Sequence, residues 1–315
     1  MRLEGIHHVT CITGDARRNV DFYTRVLGLR MVAKSVNQDD PFVYHLFYAD
    51  EHGKPGADIT FFEYPHARSG RAGAGMVHRI TWRVASAAAL DFWATRLAAE
   101  GIATERHDQR LRFRDQEGLG LELAVSANRD EPLIAHHPEI PREFALQGFD
   151  GVRAYTIDPQ PSHAFLESVL SATQVDGSRW ELRGSRRGGT IVYDRAPSER
   201  GIQGAGTVHH VAWGTTVAEH PRWYERLQEA GVHTTPIIDR HYFHSIYFRE
   251  PSGVLFEIAD DGPGFTIDVP LEMLGTTVIL PPSLEPRRAE IEAHLTPLPD
   301  PRAGWGNAPA RPARG

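Results

Sequence analysis

A single cysteine, Cys11, serves a chain of 315 residues. No intrachain disulfide is possible, so the fold must rest on its core, and this usage fits a reducing cytosol. No apolar run reaches about eighteen residues, the length a membrane-spanning helix needs. The N-terminus, MRLEGIHHVT, lacks the apolar core of an export signal. Dense Lys/Arg stripes are missing and the formal net charge is −7. A surface that tracks phosphates is therefore not expected, and neither nucleic acid nor membrane is an expected partner.

What is present is a globular balance, with 41% hydrophobic and 24% charged residues, enough chain for two domains, and 17 histidines. Those histidines permit metal chemistry without demonstrating it. Two of them form a pair in GIHHVTCIT and two more form a pair in GTVHHVAWG, far along the chain.

The pairs belong to a repeat. Each copy reads strand, amphipathic helix, further strands. The opening segments are IHHVTCIT, VHRITWRV, GVRAYTID and VHHVAWG, and the closing segments are ADITFFEY, GLGLELAV, GGTIVYD and GVLFEIAD. Between them, Val20, Tyr23 and Leu27 share one helical face, as do Leu90, Trp93 and Leu97. Gly28, Gly101 and Gly231 follow the apolar runs, where a helix cap favours glycine. The class expected is α+β, four βαβββ modules in two domains with open, cupped mixed sheets. Residues 1–130 form the first domain (modules 5–64 and 76–126), 131–147 the linker, and 148–262 the second domain (modules 150–194 and 206–260). Residues 263–315 form an extension. TVILPPSLEPRRAEIEAHL is expected to include a short helix, and PDPRAGWGNAPARPARG to be disordered.

Strand alternation separates the members of each histidine pair. His7 shares its face with Val9 and Cys11 and packs under a helix, while His8 lies on the other face. His209 goes with Val211 and Trp213, and His210 with the small Ala212 and Gly214, which leave room for a ligand. His8 and His210 are thus the expected functional pair. Glu257, in the apolar strand LFEIA, needs a partner if buried. Two imidazoles and one carboxylate make the facial triad of non-haem Fe(II) enzymes, with positions left open.

The chain also resembles the vicinal-oxygen-chelate superfamily of glyoxalase I, extradiol dioxygenases and bleomycin-resistance proteins. It is most similar to two-domain ring-cleaving dioxygenases of the hydroquinone-cleaving type. The stretches that carry the likeness are GIHHVTCITGD, VDFYTRVLGLRMVAKSVNQDDPFVYHLFYAD, GKPGADITFFEYP, GTVHHVAWG, DRHYFHSIYFREPSGVLFEIA and LPPSLEPRR. The resemblance implies Fe(II) held by His8, His210 and Glu257 from modules one and four. It also implies a small aromatic diol and O2 as partners, and ring cleavage as the reaction. His78 and Glu122 of module two are read as structural, since module three supplies no histidine. Glu63 sits where glyoxalase I places another glutamate ligand, and it either joins the site or points away.

Proton transfer in such a reaction needs an acid and a base, and a histidine near the metal suits both. The candidates are His241, His244 and Tyr247, with His45 as a further one. Phe42, Tyr44 and Phe47 either line a pocket or fill the core. Two other activities stay open: a glyoxalase-like isomerase acting on a thiol adduct with Ni(II) or Zn(II), and a non-catalytic binding protein. The oligomeric state is not set by the sequence, and a homo-oligomer is compatible with it.

Overall fold

The computed structural model describes residues 1–303 and 305. Module one comprises β1 (Ile6–Thr13), α1 (Ala16–Asp21), β2 (Arg30–Asn37), β3 (Asp40–Ala49) and β4 (Asp58–Glu63). Module two comprises β5 (Met76–Val84), α2 (Ala87–Ala99), β6 (Glu105–His107), β7 (Arg110–Arg114) and β8 (Gly120–Val125). Module three runs β9 (Phe149–Thr156), α3 (Gln160–Ser168), β10 (Thr173–Asp176), β11 (Arg179–Arg183) and β12 (Gly188–Arg195). Module four runs β13 (Thr207–Gly214), α4 (His220–Glu229), β14 (Ile238–Asp239), β15 (His244–Arg249) and β16 (Leu255–Ala259). The α+β class and the four repeats are as expected, and both sheets are mixed.

Chain order is not sheet order. One eight-stranded sheet runs β14-β15-β16-β13-β1-β4-β3-β2, and the other runs β10-β11-β12-β9-β5-β8-β7-β6. Modules one and four therefore share a sheet, as do modules two and three. The expected boundaries 1–130 and 148–262 do not separate the two sheets. The physical reason is the open edge of each module's first strand. Having paired with its own last strand on one side, β1 still presents unpaired backbone groups on the other, and β13 satisfies them. β5 and β9 do the same for each other.

The helices form where the apolar spacing put them. Leu90, Trp93 and Leu97 of α2 are fully buried, and Ser86 caps it by accepting from Ala89 N. Gly101 and Gly231 follow α2 and α4 with φ of 71° and 72°, the left-handed region that a Cβ disfavours. The first helix departs from expectation. It is α-helical only to Asp21, and Phe22–Val26 is a π-helical turn in which Leu27 N donates to Phe22 O. This wider turn still buries Val20, Tyr23 and Leu27. The Tyr23 ring lies 5.4 Å from Tyr48, and its hydroxyl donates to Asp115 Oδ2 at 3.1 Å, joining modules one and two.

The extension covers the edge strand β2. Lys34 Nζ donates to Thr276 O and Leu298 O, both at 3.3 Å, and Arg30 donates to Leu271 O at 2.6 Å. The expected short helix is α5 (Arg288–His294), held by the buried Ile291. The expected disorder is corrected for the first part of PDPRAGWGNAPARPARG, where Arg302 pairs with Glu51 at 2.6 Å. Residues 304 and 306–315 lie outside the described residues. Among the described residues no helix is long and apolar enough to cross a membrane.

Tyr23→Phe would leave Asp115 Oδ2 buried without its donor. The expected loss is about 1–3 kcal/mol of stability. It is read as a lowered urea midpoint at unchanged slope, and an unmoved midpoint would refute this role for the hydroxyl.

Candidate metal centre

The ladder between β1 and β13 pairs Thr10 with His210 and His8 with Ala212. Each histidine thus lies across from the residue two places beyond the other, and both side chains emerge on one face. β16 pairs with β13 so that Glu257 stands beside Ala212, which adds its carboxylate to that face. The ligand atoms of His8, His210 and Glu257 all lie within 4.8 Å of one another. Glu257 Oε2 is 2.9 Å from His210 Nε2 and 3.3 Å from His8 Nε2, and the two Nε2 atoms are 3.3 Å apart. All three side chains are buried. Burial alone would raise the pKa of Glu257, but the flanking imidazoles outweigh it and hold the carboxyl well below the usual range.

The second member of each pair explains the doubling. His7 Nε2 lies 3.0 Å from the carbonyl of Asp260, which can only accept, so His7 carries its proton there. Burial pushes the pKa of His7 down to about 3, so the ring is neutral. Its Nδ1 then accepts, at 2.9 Å, from Nδ1–H of His8, while Glu257 raises the pKa of His8 and favours a proton on Nε2, the proton that a metal would displace. His209 Nδ1 and His210 Nδ1 repeat the contact at 2.8 Å. Ser245 Oγ donates to Glu257 Oε1 at 2.5 Å, while Oε2, buried, has no hydrogen-bond donor. The Nε2 atoms of His8 and His210 and one orphaned carboxylate oxygen thus face a common point. A divalent cation fits that donor set, and His7, tied to the Asp260 carbonyl, orients His8 for it.

Glu63 is not part of this arrangement. Its strand pairs Thr60 with Thr10 and Glu63 with Thr13, so Glu63 is on the opposite face. The position that matches Glu257 in module one, beside the residue two beyond the histidine, is Thr60. Thr60 Oγ1 is 2.8 Å from both Thr10 Oγ1 and His45 Nε2.

The remaining candidates divide. Tyr247 stands opposite Glu257, with its ring 5.6 Å from that of His210, so it faces the cluster. Burial first, and the charge of Glu257 second, raise its phenol well above the usual value. His244 alternates to the other face, where Nδ1 meets Asp260 Oδ2 at 2.8 Å, and it does not approach the cluster. His241 is also outside the cluster, its Nε2 2.8 Å from Asp268. Both sit in or beside the irregular segment between β14 and β15, where sequence alternation gives no reliable face. His45 does reach the metal face, between Phe47 and Phe62 at ring distances of 3.9 and 4.4 Å. Burial, then the neighbouring His8 and His210, keep it neutral. Phe47 shares that face, whereas Tyr44 is on the other, bonded to Thr296 O, and Phe42 packs on His294 of the extension.

Sequence reasoning missed three residues here. Arg240 lies over the Tyr247 ring at 5.3 Å, and its Nε donates to the Tyr247 hydroxyl at 3.3 Å. Ser245 positions Glu257. Asp58 stands beside His8 in the ladder, with both oxygens buried and unpartnered, and burial moves its pKa up to about 7. Its signal was legible: in ADITFF the aspartate falls on the same side as Thr60, two residues on.

Comparisons with known proteins agree with the sequence resemblance. The model of the "Glyoxalase/Bleomycin resistance protein/Dioxygenase superfamily" matches residues 5–123 and 148–258. The chain is 39% identical, over 95% of its length and the whole of the relative, to the Bacillus subtilis protein named "Putative ring-cleaving dioxygenase MhqA". It is 31% identical, over 92% of its length and 95% of the relative, to "Chlorohydroquinone/hydroquinone 1,2-dioxygenase" of Sphingobium indicum. A solved structure of a "putative dioxygenase" from Bacillus subtilis is 36% identical, with a TM-score of 0.89 over 95% of this chain and 98% of that one.

His7→Phe keeps the ring volume and removes the acceptor for His8 Nδ1–H. Metal affinity is expected to fall about 10–100-fold, measured by metal titration of the folded variant. Unchanged affinity would rule out the tautomer account.

Proposed function

Because this chain belongs to the glyoxalase/bleomycin resistance protein/dioxygenase superfamily, we propose that it is an Fe(II)-dependent dioxygenase that opens the ring of a hydroquinone or catechol. The observation that carries this reading is the threonine at position 60. With Glu63 on the far face, the site offers three protein ligands rather than four. Three ligands on one side of a metal leave room for both an aromatic diol and O2, as in the two-histidine, one-carboxylate oxygenases. A glyoxalase-like isomerase on the same frame would use a carboxylate where Thr60 stands.

His8, His210 and Glu257 hold the ion. Fe(II) held there would supply the redox chemistry that couples an aromatic diol to O2. The chain's own groups do the rest. His7 and His209 orient the ligand imidazoles through their Nδ1 contacts, and Ser245 keeps Glu257 turned so that Oε2 would face the ion. Arg240, whose guanidinium lies by the Tyr247 hydroxyl, stabilises an anionic ring oxygen brought beside it. Tyr247 and the neutral His45 are the groups of this face placed to give and take protons. Phe47, Phe243 and Phe62 give the face apolar surface for a ring.

Protein loaded anaerobically with Fe(II) is expected to consume O2 when given one of a panel of hydroquinones and catechols. His210→Ala should abolish uptake, and Glu63→Gln should retain it. No uptake by iron-loaded protein with any diol, together with isomerisation of a thiol adduct that Glu63→Gln abolishes, would replace this reading with the isomerase.

A further inference from the structure

The second sheet repeats the frame of the first with other side chains. β5 pairs with β8 in the register Thr81 to Glu122, as β13 pairs with β16 in the register Ala212 to Glu257. Glu122 therefore holds the position of Glu257, and Arg79 holds that of His210. Across the central ladder, Thr81 pairs with Gly151 as Ala212 pairs with His8. Gly151 thus replaces His8, and a Cβ there would collide with Thr190. Arg112 stands opposite Glu122 where Tyr247 stands opposite Glu257, and Arg110 replaces Ser245. Arg153 replaces Thr10.

Every replacement adds a cation or removes a ligand. Buried Glu122 accepts from Arg110 Nη1 at 2.6 Å, Arg112 Nε at 2.8 Å and Thr81 Oγ1 at 3.1 Å. Arg153 gives both its bonds to Asp194, at 2.7 and 2.5 Å. His78 Nε2 is 2.8 Å from the same carboxylate, and its ring stacks on Tyr155 at 3.8 Å. These two carboxylates face four guanidiniums. Arg79 is left over, with its Nη1 3.9 Å from Glu122 and no side-chain hydrogen bond among the described residues. Its side chain is only 22% exposed. A cavity of about 1190 Å³ opens beside it, walled by Arg79, Arg112, His78 and Tyr155, with Arg17 and Arg18 also on its lining. Of the six acids on that lining, Asp21 and Glu100 are taken by Arg25, each at 2.7 Å, Asp115 accepts from Tyr23 and from backbone N–H groups, Glu117 Oε1 accepts from Gly14 N, and Glu105 and Glu199 are exposed.

A half-buried guanidinium with its donors unspent, where Arg79, Arg110 and Arg112 share the single carboxylate of Glu122, is a receptor for an oxyanion. We propose that the second sheet carries a binding site for a small organic oxyanion, carboxylate or phosphate, whose oxygens are taken by the Arg79 and Arg112 guanidiniums. The Tyr155 and His78 rings give its body a flat wall. The site is separate from the metal face and does not depend on the reaction run there.

The test is calorimetric titration of the full chain, in a buffer free of multivalent anions, with benzoate and inorganic phosphate in separate arms. Saturable binding of either is expected, and the arm that responds names the source of the oxyanion. Arg79→Met should weaken it by about tenfold or more, and Arg79→Lys, which keeps the charge but loses the fork, by less. The urea midpoint should stay the same in both variants, which reports that the fold is intact. If Arg79→Met does not fold, Arg79→Lys decides alone. No saturable heat with either anion, or full affinity in the folded variants, overturns the proposal.

Discussion

The antiparallel ladder between β1 and β13 is the constraint on which the metal face depends. It is a backbone interaction, indifferent to side chains, yet its register brings two histidines 202 residues apart in the chain to 3.3 Å between their Nε2 atoms. A slip of one residue would turn one imidazole into the core. The register is held from both sides. β4 and β16 flank the pair in parallel, and a fully buried layer of Val9, Cys11, Val211 and Trp213 fills the other face. Packing of that layer fixes the alternation, and the alternation fixes which histidine faces the cluster.

Both sheets bury a glutamate at the same place in the frame, and the two solutions differ in kind. An unpaired buried carboxylate costs several kcal/mol. In the second sheet, Arg110 and Arg112 meet Glu122 directly, and the charge is neutralised by the chain itself. In the first sheet Glu257 Oε2 has only two imidazole nitrogens beside it. Both rings are engaged on the Nδ1 side, by His7 and His209, and any positive charge they carry is a proton that can leave. The chain has thus kept one buried anion short of a permanent cation, which is the electrostatic condition for binding a metal there. Each histidine pair joins one imidazole that faces the cluster to one that engages its Nδ1.

Much of this was legible from alternation alone. Period two assigned His8 and His210 to one face and His7 to the other, and placed Glu257 in a buried strand, without reference to the fold. The apolar spacing found the buried faces of α2 and the start of α1, though not the π-helical turn after Asp21, because both helix types bury Val20 and Tyr23. What was not legible was pairing. Nothing local to β1 says that its free edge meets β13 rather than a strand of module two, and a grouping by chain order missed it. The question left open over Glu63 has the same root, and the ladder decides it by putting Thr60 beside Thr10 and sending Glu63 to the far face. His241 and His244 were too close to an irregular segment for counting to give a direction, and each had an aspartate waiting, Asp268 and Asp260.

Asp260 ties these threads together. Its side chain holds His244 by Nδ1 and backbone N, at 2.8 and 3.0 Å, on the face away from the metal ligands. Its carbonyl meets His7 Nε2 at 3.0 Å and so determines which nitrogen of His8 is free. One residue at the end of β16 therefore fixes a histidine of module four and, through His7, a ligand of module one. The carbonyl matters for the site, and a carbonyl is supplied by any residue type. The constraint is thus carried by the path of the backbone after Ala259, which the sequence does not write as a motif. That is why the histidine doublets are conspicuous in the sequence while the group that orders them is not.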